Sequence, residues 1–181
     1  MAQPEWITPA GSLGTIPEGV FYQLAMLATT PVVASVVCTA TDSSTNRITC
    51  ESTEGIYPGL NVMFGIGDNA VFGGVSPLVR YFVLDVYNST QFSIATTEFS
   101  TVPVSLTTAT GTMSSDFRQH VLFNLQAGQL PSGIQVSDNG LIVGTPKAVA
   151  SIQGVPTPVS TDVTSKFTVR AYTKKYVNGV Y

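Results

Sequence analysis

The sequence predicts an all-β fold built from short strands, and three observations carry that expectation. Apolar residues alternate or run in short blocks rich in Val, Ile, Thr, Phe and Tyr. Gly, Pro, Asn and Asp interrupt those blocks at short intervals. No stretch holds the 3.6-residue apolar period of an amphipathic helix over several turns.

Taken in order, Trp6-Ile7-Thr8 reads as a short strand followed by a turn-rich link, Pro9 to Gly14. Val20–Ala28 reads as a strand and not a helix, because Gly19 precedes it and Thr29-Thr30-Pro31 follows; Pro31 cannot sit inside a central strand. Val32–Thr41 and Arg47–Ser52 flank the turn formers Asp42-Ser-Ser-Thr-Asn46, which predicts a hairpin. Ile56–Phe64 is a turn feeding a strand, and Arg80–Tyr87 is the strongest strand signal in the chain. Asn88-Ser89-Thr90 turns into Gln91–Ala95, and Val104–Ala109 is a further strand. Val121–Leu125 is another. In Gly128–Pro146, Leu130, Ile134, Val136, Leu141 and Val143 fall on the apolar faces of two short strands. Asn139-Gly140 between them predicts a type I′ turn with positive φ at both residues. A Pro-rich loop around Val155–Pro158 leads to Lys166–Thr173, whose alternation is clear. Asn178-Gly179 is a turn that aims Val180-Tyr181 back along the sheet. A sandwich ending there has an open edge: either the sequence is a piece of a longer chain, the preferred reading, or a neighbour supplies the missing strand.

The chain has 181 residues, a formal net charge of −3 and only 10% charged residues, against roughly 25% in an average protein. Its eight Lys and Arg are scattered, with only Lys174-Lys175 adjacent, which excludes the basic stripe of a nucleic-acid binder. No apolar run approaches the ~20 residues of a membrane-spanning helix. The start, Met-Ala-Gln-Pro-Glu-Trp, has no secretory pattern, so synthesis and first folding in a cytoplasm are expected. So sparse a charge leaves two readings: a Ser/Thr-rich surface that is soluble enough, or a surface largely covered by neighbours in an assembly. The second is favoured.

Candidate chemistry is thin. Gly65-Ile-Gly67-Asp-Asn-Ala70 has the spacing of a dinucleotide loop, but Val71–Val75 cannot open the helix that would hold the pyrophosphate. Cys38 and Cys50 face each other if Thr41 faces Arg47; two half-buried thiols are expected, with a cross-strand bridge or weak metal binding as the alternatives. There is no C-x-x-C pair and no zinc-ligand spacing. His120, the only histidine, reads as a strand-surface residue beside Arg118, and no G-x-S-x-G elbow supplies it with a nucleophile. The carboxylates are dispersed: Glu51 and Glu54 are near in sequence, while Asp116 and Asp162 are too isolated for a calcium site. Asn88-Ser-Thr90 is a formal glycosylation acceptor but more simply a turn. No catalytic residue, metal ligand or cofactor is assigned. On Arg80–Tyr87, Phe82, Leu84 and Val86 are expected to face the core, and Tyr81, Val83, Asp85 and Tyr87 the other side. That side is either a second packing face or a binding surface. Tyr81, Tyr87, Tyr172, Tyr176 and Tyr181 are the candidate interface residues.

Leu130-Pro131-x-Gly133-Ile134, Gly140-x-Ile142-x-Gly144-Thr145-Pro146 and Phe167-Thr168-Val169-Arg170-Ala171 together resemble an immunoglobulin-like family related to cadherin-like sandwiches. The stretch Trp6–Phe21 is similar to sandwich repeats in virion proteins of contractile-tailed, especially cyanobacterial, phages. The blocks Asn46-Arg-Ile-Thr49, Gly59–Phe64, Phe72–Val75, Tyr81–Val83, Ser89–Ile94 and Leu106–Met113 resemble a small β module that recurs in phage tail proteins. The resemblance implies a discontinuous Ig-like β-sandwich, 1–31 and 116–181, interrupted by a small inserted β domain, 32–115. It implies a non-enzymatic virion component of a tail, baseplate or fibre attachment, assembled in the host cytoplasm. Its partners would be other virion proteins in an oligomeric assembly, with neither nucleic acid nor membrane. A module binding host-surface carbohydrate is the alternative, and a hydrolase domain comes third.

Overall fold

In a computed structural model, the structure describes residues 3–65, 72–98, 100–147 and 163–174. Thirteen strands run through them: β1 (Glu5–Trp6), β2 (Tyr22–Ala25), β3 (Ala28–Thr29), β4 (Val32–Asp42), β5 (Arg47–Cys50), β6 (Asn61–Phe64), β7 (Arg80–Asn88), β8 (Gln91–Ala95), β9 (Ala109–Arg118), β10 (Val121–Gly128), β11 (Ile134–Val136), β12 (Leu141–Gly144) and β13 (Phe167–Thr173). The described residues contain no helix, so the all-β class holds. The chain divides into two compact units, one containing Thr30–His120 and the other Gln3–Thr29 with Val121–Thr173.

The first unit is a closed six-stranded barrel in the order β4-β5-β8-β7-β6-β9, with every pair antiparallel. Closure depends on β9, which pairs with β4 along one side and with β6 along the other. Met113, Ser115 and Phe117 alternate inward from β9, while Thr112, Ser114 and Asp116 face out. The interior is filled, not hollow. Phe64, Phe72, Phe92, Phe117, Ile48 and Ile94 are fully buried, and Phe92 meets Phe117 edge to face with ring centroids 5.4 Å apart. Ser115 is the polar member of this interior. Its hydroxyl donates to the Val36 carbonyl at 3.0 Å, so the buried oxygen is satisfied.

Three expectations change in this unit. The segment Ser114-Ser115-Asp116, where the expected 115/116 boundary lies, is inside β9. Val104–Thr108 is an extended connection and not a strand; Val104 N donates to Ile94 O at 2.8 Å and Thr107 N to Gly73 O at 3.0 Å. On β7, the register passes from Val83↔Ile94 to Val86↔Phe92, which leaves one extra residue on β7. This bulge reverses the parity of the strand. Tyr81 and Val83 therefore enter the core, and Val86 packs against it from the same side.

The β4–β5 hairpin forms where expected, but Asp42 faces Arg47 and Thr41 faces Ile48. Asp42 organises the turn: its carboxylate accepts the Ser44 amide and hydroxyl, both at 2.8 Å, and the Thr45 hydroxyl at 2.8 Å. Asn46 takes positive φ (53°), a conformation asparagine tolerates.

The second unit is β-sandwich-like, with three small antiparallel sheets: β1-β3, β10-β13 and β11-β12-β2. Their shared core is Met26, Val121, Phe123, Ile134 and Ile142, flanked by Phe167, Val169 and Ala171 from alternate positions of β13. Trp6 lies edge-on to Phe123, with centroids 5.6 Å apart. The β11–β12 hairpin is not type I′. Among its loop residues only Gly140 has positive φ (88°); its amide donates to Ser137 O at 3.1 Å, and Ser137 N donates to Leu141 O at 2.8 Å. That is a three-residue loop with glycine at the bulge. A Cβ on Gly140 would stand 2.8 Å from both the Met26 carbonyl oxygen and the Phe123 ring. Gly144 faces Ile134 with φ 145°, and a Cβ there would overlap the Gly133 carbonyl oxygen. Both glycines thus answer to backbone packing.

Phe117→Ala should lower stability by about 3–5 kcal/mol in denaturant unfolding, because the site is enclosed by the barrel. Gly144→Ala should cost at least about 2 kcal/mol through steric overlap and an unfavourable φ. The donors of Ser44, hydroxyl first and then amide, hold the Asp42 carboxyl below its usual range, with the Thr45 hydroxyl adding to them. Its folded value is depressed, so the stability it contributes is present above the ordinary carboxylate range (about 3.9) and is lost as pH falls through the folded value. Asp42→Asn should therefore show a smaller drop in melting temperature between pH 5 and pH 2.5 than the wild type.

Candidate functional site

Among the described residues of the barrel unit, His120, Glu98, Tyr57 and Lys174 gather at the end of β9. Arg118 ends the strand, and its Nη1 donates to the Thr30 carbonyl at 2.6 Å. The Thr30 hydroxyl in turn donates to the Gln119 carbonyl at 2.9 Å. These bonds hold the Gln119-His120 link in place. His120 Nε2 lies 3.5 Å from Glu98 Oε2, and both side chains are largely buried, 13% and 8% exposed. The His120 ring also meets Phe82 edge to face at 5.1 Å. Phe82 points out of the barrel and is covered there. His120 is thus enclosed and paired with a carboxylate, not the surface residue beside Arg118 that the sequence suggests.

Gln119 Nε2 donates to the Tyr57 hydroxyl at 3.2 Å. Tyr57, Pro58, Gly59, Leu60, Glu98, Gln119, His120 and Lys174 line a cavity of about 10 Å³. A space of that size holds about one water molecule. Among the described residues the lining offers an imidazole, a carboxylate, a phenol and an ammonium, and no Ser, Thr or Cys nucleophile. The arrangement can pass or hold a proton between His120 and Glu98, and charging His120 would tighten their attraction. Its dimensions suit a polar clamp on the strand link rather than enclosure of a substrate. Glu98 carried no signal in the sequence: it stands apart from any motif and meets His120 only because β7, β8 and β9 share one barrel.

The candidate interface tyrosines separate. Tyr81 is in the core, and its hydroxyl accepts the Ser76 amide at 2.9 Å; the β7 bulge puts it there, so it offers no surface. Tyr87 is 42% exposed, but the Arg47 guanidinium lies 3.8 Å from its ring centroid and its hydroxyl is 3.2 Å from Ser93 Oγ. Tyr81 and Tyr87 therefore do not form one aromatic shelf. Tyr172 is half-buried on β13 opposite Leu122, with the Arg170 guanidinium 5.9 Å from its ring. Tyr176 and Tyr181 lie outside the described residues, as do Asp162, the Val155–Pro158 loop, the Asn178-Gly179 turn and most of the Gly65–Ala70 motif.

Other candidates resolve into structural roles. Asn88 forms the β7–β8 turn, its Oδ1 accepting the Thr90 amide at 2.9 Å. Asp116 accepts the Ser35 hydroxyl at 2.6 Å. Glu51 and Glu54 are exposed. Among the described residues no three His, Cys, Asp or Glu side chains are grouped to hold a metal ion. Cys38 and Cys50 face each other as free, buried thiols.

Apolar surface is the feature the sequence reading passed over. In the second unit Ile7, Phe21 and Leu27 are each more than half exposed, and the Ile7 and Thr8 amides both bond the Leu27 carbonyl, which sets Ile7 beside Leu27. On the barrel, Met63, Leu78 and Val79 are exposed around the end of β6, with Leu78 N bonded to Phe64 O at 2.8 Å. Leu78 holds a positive φ of 61°, unusual for a branched side chain.

No protein family, curated protein or solved structure matches this chain in the comparisons made with each.

Burial, above all, pushes the Cys38 thiol up to about 12 and raises Cys50 as well. At pH 8 a thiol reagent such as 5,5′-dithiobis(2-nitrobenzoate) should label Cys38 of the folded protein on the order of a thousand-fold more slowly than the same residue in urea, since thiolate is the reactive form.

Proposed function

We propose that the chain is a non-enzymatic structural component of a tailed-phage virion, part of a tail, baseplate or fibre attachment, working through protein–protein interfaces in an oligomeric assembly. The observation that carries this reading is the outward apolar surface on a chain with so little charge. Ile7, Phe21 and Leu27 on one unit, and Met63, Leu78 and Val79 on the other, are large side chains left facing out. Ile7 and Leu27 are exposed side by side, and neighbouring exposed apolar side chains of this kind favour a contact surface. Only 10% of residues are charged, which favours burial against neighbours over isolation in water.

The sequence resemblance supports the same reading. Gly133, Gly140 and Gly144, the fixed points of the resembling pattern, serve backbone crossings, and Ile134, Ile142, Phe167, Val169 and Ala171 serve the core. The pattern thus describes a scaffold, and nothing in it is reserved for chemistry. The Ig-like sandwich with an inserted module is the architecture we assign to the two units.

The test is direct. Phage particles purified from a host lysate that produces this chain should contain it in a fixed copy number relative to the major tail protein by quantitative mass spectrometry. An antibody to the chain should label the tail region in electron micrographs. Particles that lack the chain, or a purified chain that stays monomeric and retains defined sugars on a glycan array, would overturn the proposal in favour of a free carbohydrate-binding module.

A further inference from the structure

Cys38 and Cys50 are Cα partners across β4 and β5. The Cys50 amide turns away from β4 and donates to Thr90 O at 2.9 Å, while the next amide, Glu51 N, donates to Val37 O at 3.1 Å. This pattern puts the two cysteines at a non-hydrogen-bonded position of the ladder, where facing Cα atoms come within about 4.5 Å. Disulfides span Cα separations of about 4.4–6.8 Å. The opposition does not follow from counting back from the turn. Asp42↔Arg47, Thr41↔Ile48 and Ala40↔Thr49 would carry Cys38 past Cys50, and the extra residue Thr39 restores the pair. Both thiols are free and belong to the barrel core. Cys38 Sγ is 3.4 Å from Ser115 Oγ, and the Cys50 thiol donates to the Ser52 carbonyl at 3.3 Å.

We propose that Cys38 and Cys50 form a redox staple: a dithiol in reducing surroundings and a cross-strand disulfide when a low-molecular-weight disulfide is the oxidant, formed while the β4–β5 hairpin exists and the barrel is still open. The hairpin is local and forms early, whereas β9 must arrive from far along the chain to cover it. Before that cover closes, both thiols are in water and in register. One cysteine thiolate attacks a sulfur of glutathione disulfide; the S–S bond breaks and a glutathione thiolate leaves. The second cysteine attacks the protein sulfur of the mixed disulfide and releases the second glutathione. The two cysteine protons end on the two glutathione thiols, the protein loses two electrons and glutathione disulfide gains them. Once β9 closes the barrel, the covered pair is insulated from further exchange in either oxidation state. The inference stands on the hairpin geometry alone and does not depend on the virion reading.

The experiment is refolding of the wild-type chain from urea in glutathione disulfide with reduced glutathione. Expected are an intact mass lower by two hydrogens, no retained glutathione, and a non-reduced peptide map joining the Cys38 and Cys50 peptides. The oxidised form should melt about 10 °C above the reduced form, as expected for closing a short loop in a small unit. Unfolding in dithiothreitol and refolding should remove that difference. The Cys50→Ala chain should refold with Cys38 as a free thiol in the filled interior, form no protein disulfide and gain no such shift. Free thiols after oxidative refolding, stable glutathione adducts on the wild type, or an oxidised form that melts lower would overturn the staple. If the folded reduced protein forms the bridge as fast as the refolding chain, the proposed order of events falls.

Discussion

The barrel depends on the double pairing of β9. Without it, β4 and β6 would each present an unsatisfied row of amides and carbonyls, and the interior phenylalanines would lie against water. With it, the ladder runs full circle from β4 back to β4, and no open edge is left in the ring. Everything inside follows from that closure. Phe92 and Phe117 can meet edge to face only because β8 and β9 lie on opposite arcs of one wall. Ser115 can be fully buried because the neighbouring strand presents the Val36 carbonyl to its hydroxyl.

Bulges set what each face carries. The extra residue on β7 turns a strand that alternates on paper into one that puts Tyr81, Val83 and Val86 on the same side. The extra residue at Thr39 turns a hairpin offset by one position into a cross-strand cysteine pair. In both cases a single inserted residue exchanges inside for outside, because the side-chain period of a strand is two. The consequence is chemical as well as steric. Tyr81 loses its place on the surface, and Cys38 is brought opposite Cys50 in a setting that keeps its thiol protonated.

The two units reach stability by different means. The barrel relies on large aromatic side chains in a closed wall. The second unit has small sheets and a small core, and relies on close backbone approach at Gly133, Gly140 and Gly144 to bring them together. Each carries large apolar side chains outward, and the His120–Glu98 pair lies on the link that follows β9.

Much of this was legible in the residues. Alternation and turn formers located β2, β5, β7, β8, β10, β12 and β13, and predicted the β4–β5, β7–β8 and β11–β12 hairpins, because these are local and register with the chain's own punctuation. The glycines of 128–146 were correctly read as backbone residues, though the loop they build is not the type I′ turn. What the sequence could not disclose is whatever depends on partners distant along the chain. Ser114-Ser115-Asp116 has the composition of a linker and becomes a barrel strand because β4 and β6 wait on either side of it. Glu98 and His120 share no motif, and bulges leave no mark in composition. Local order is written in propensity and period. Closure, parity and the meeting of distant side chains are decided only when the strands pair, since their free energy comes from the neighbours and not from the residues alone.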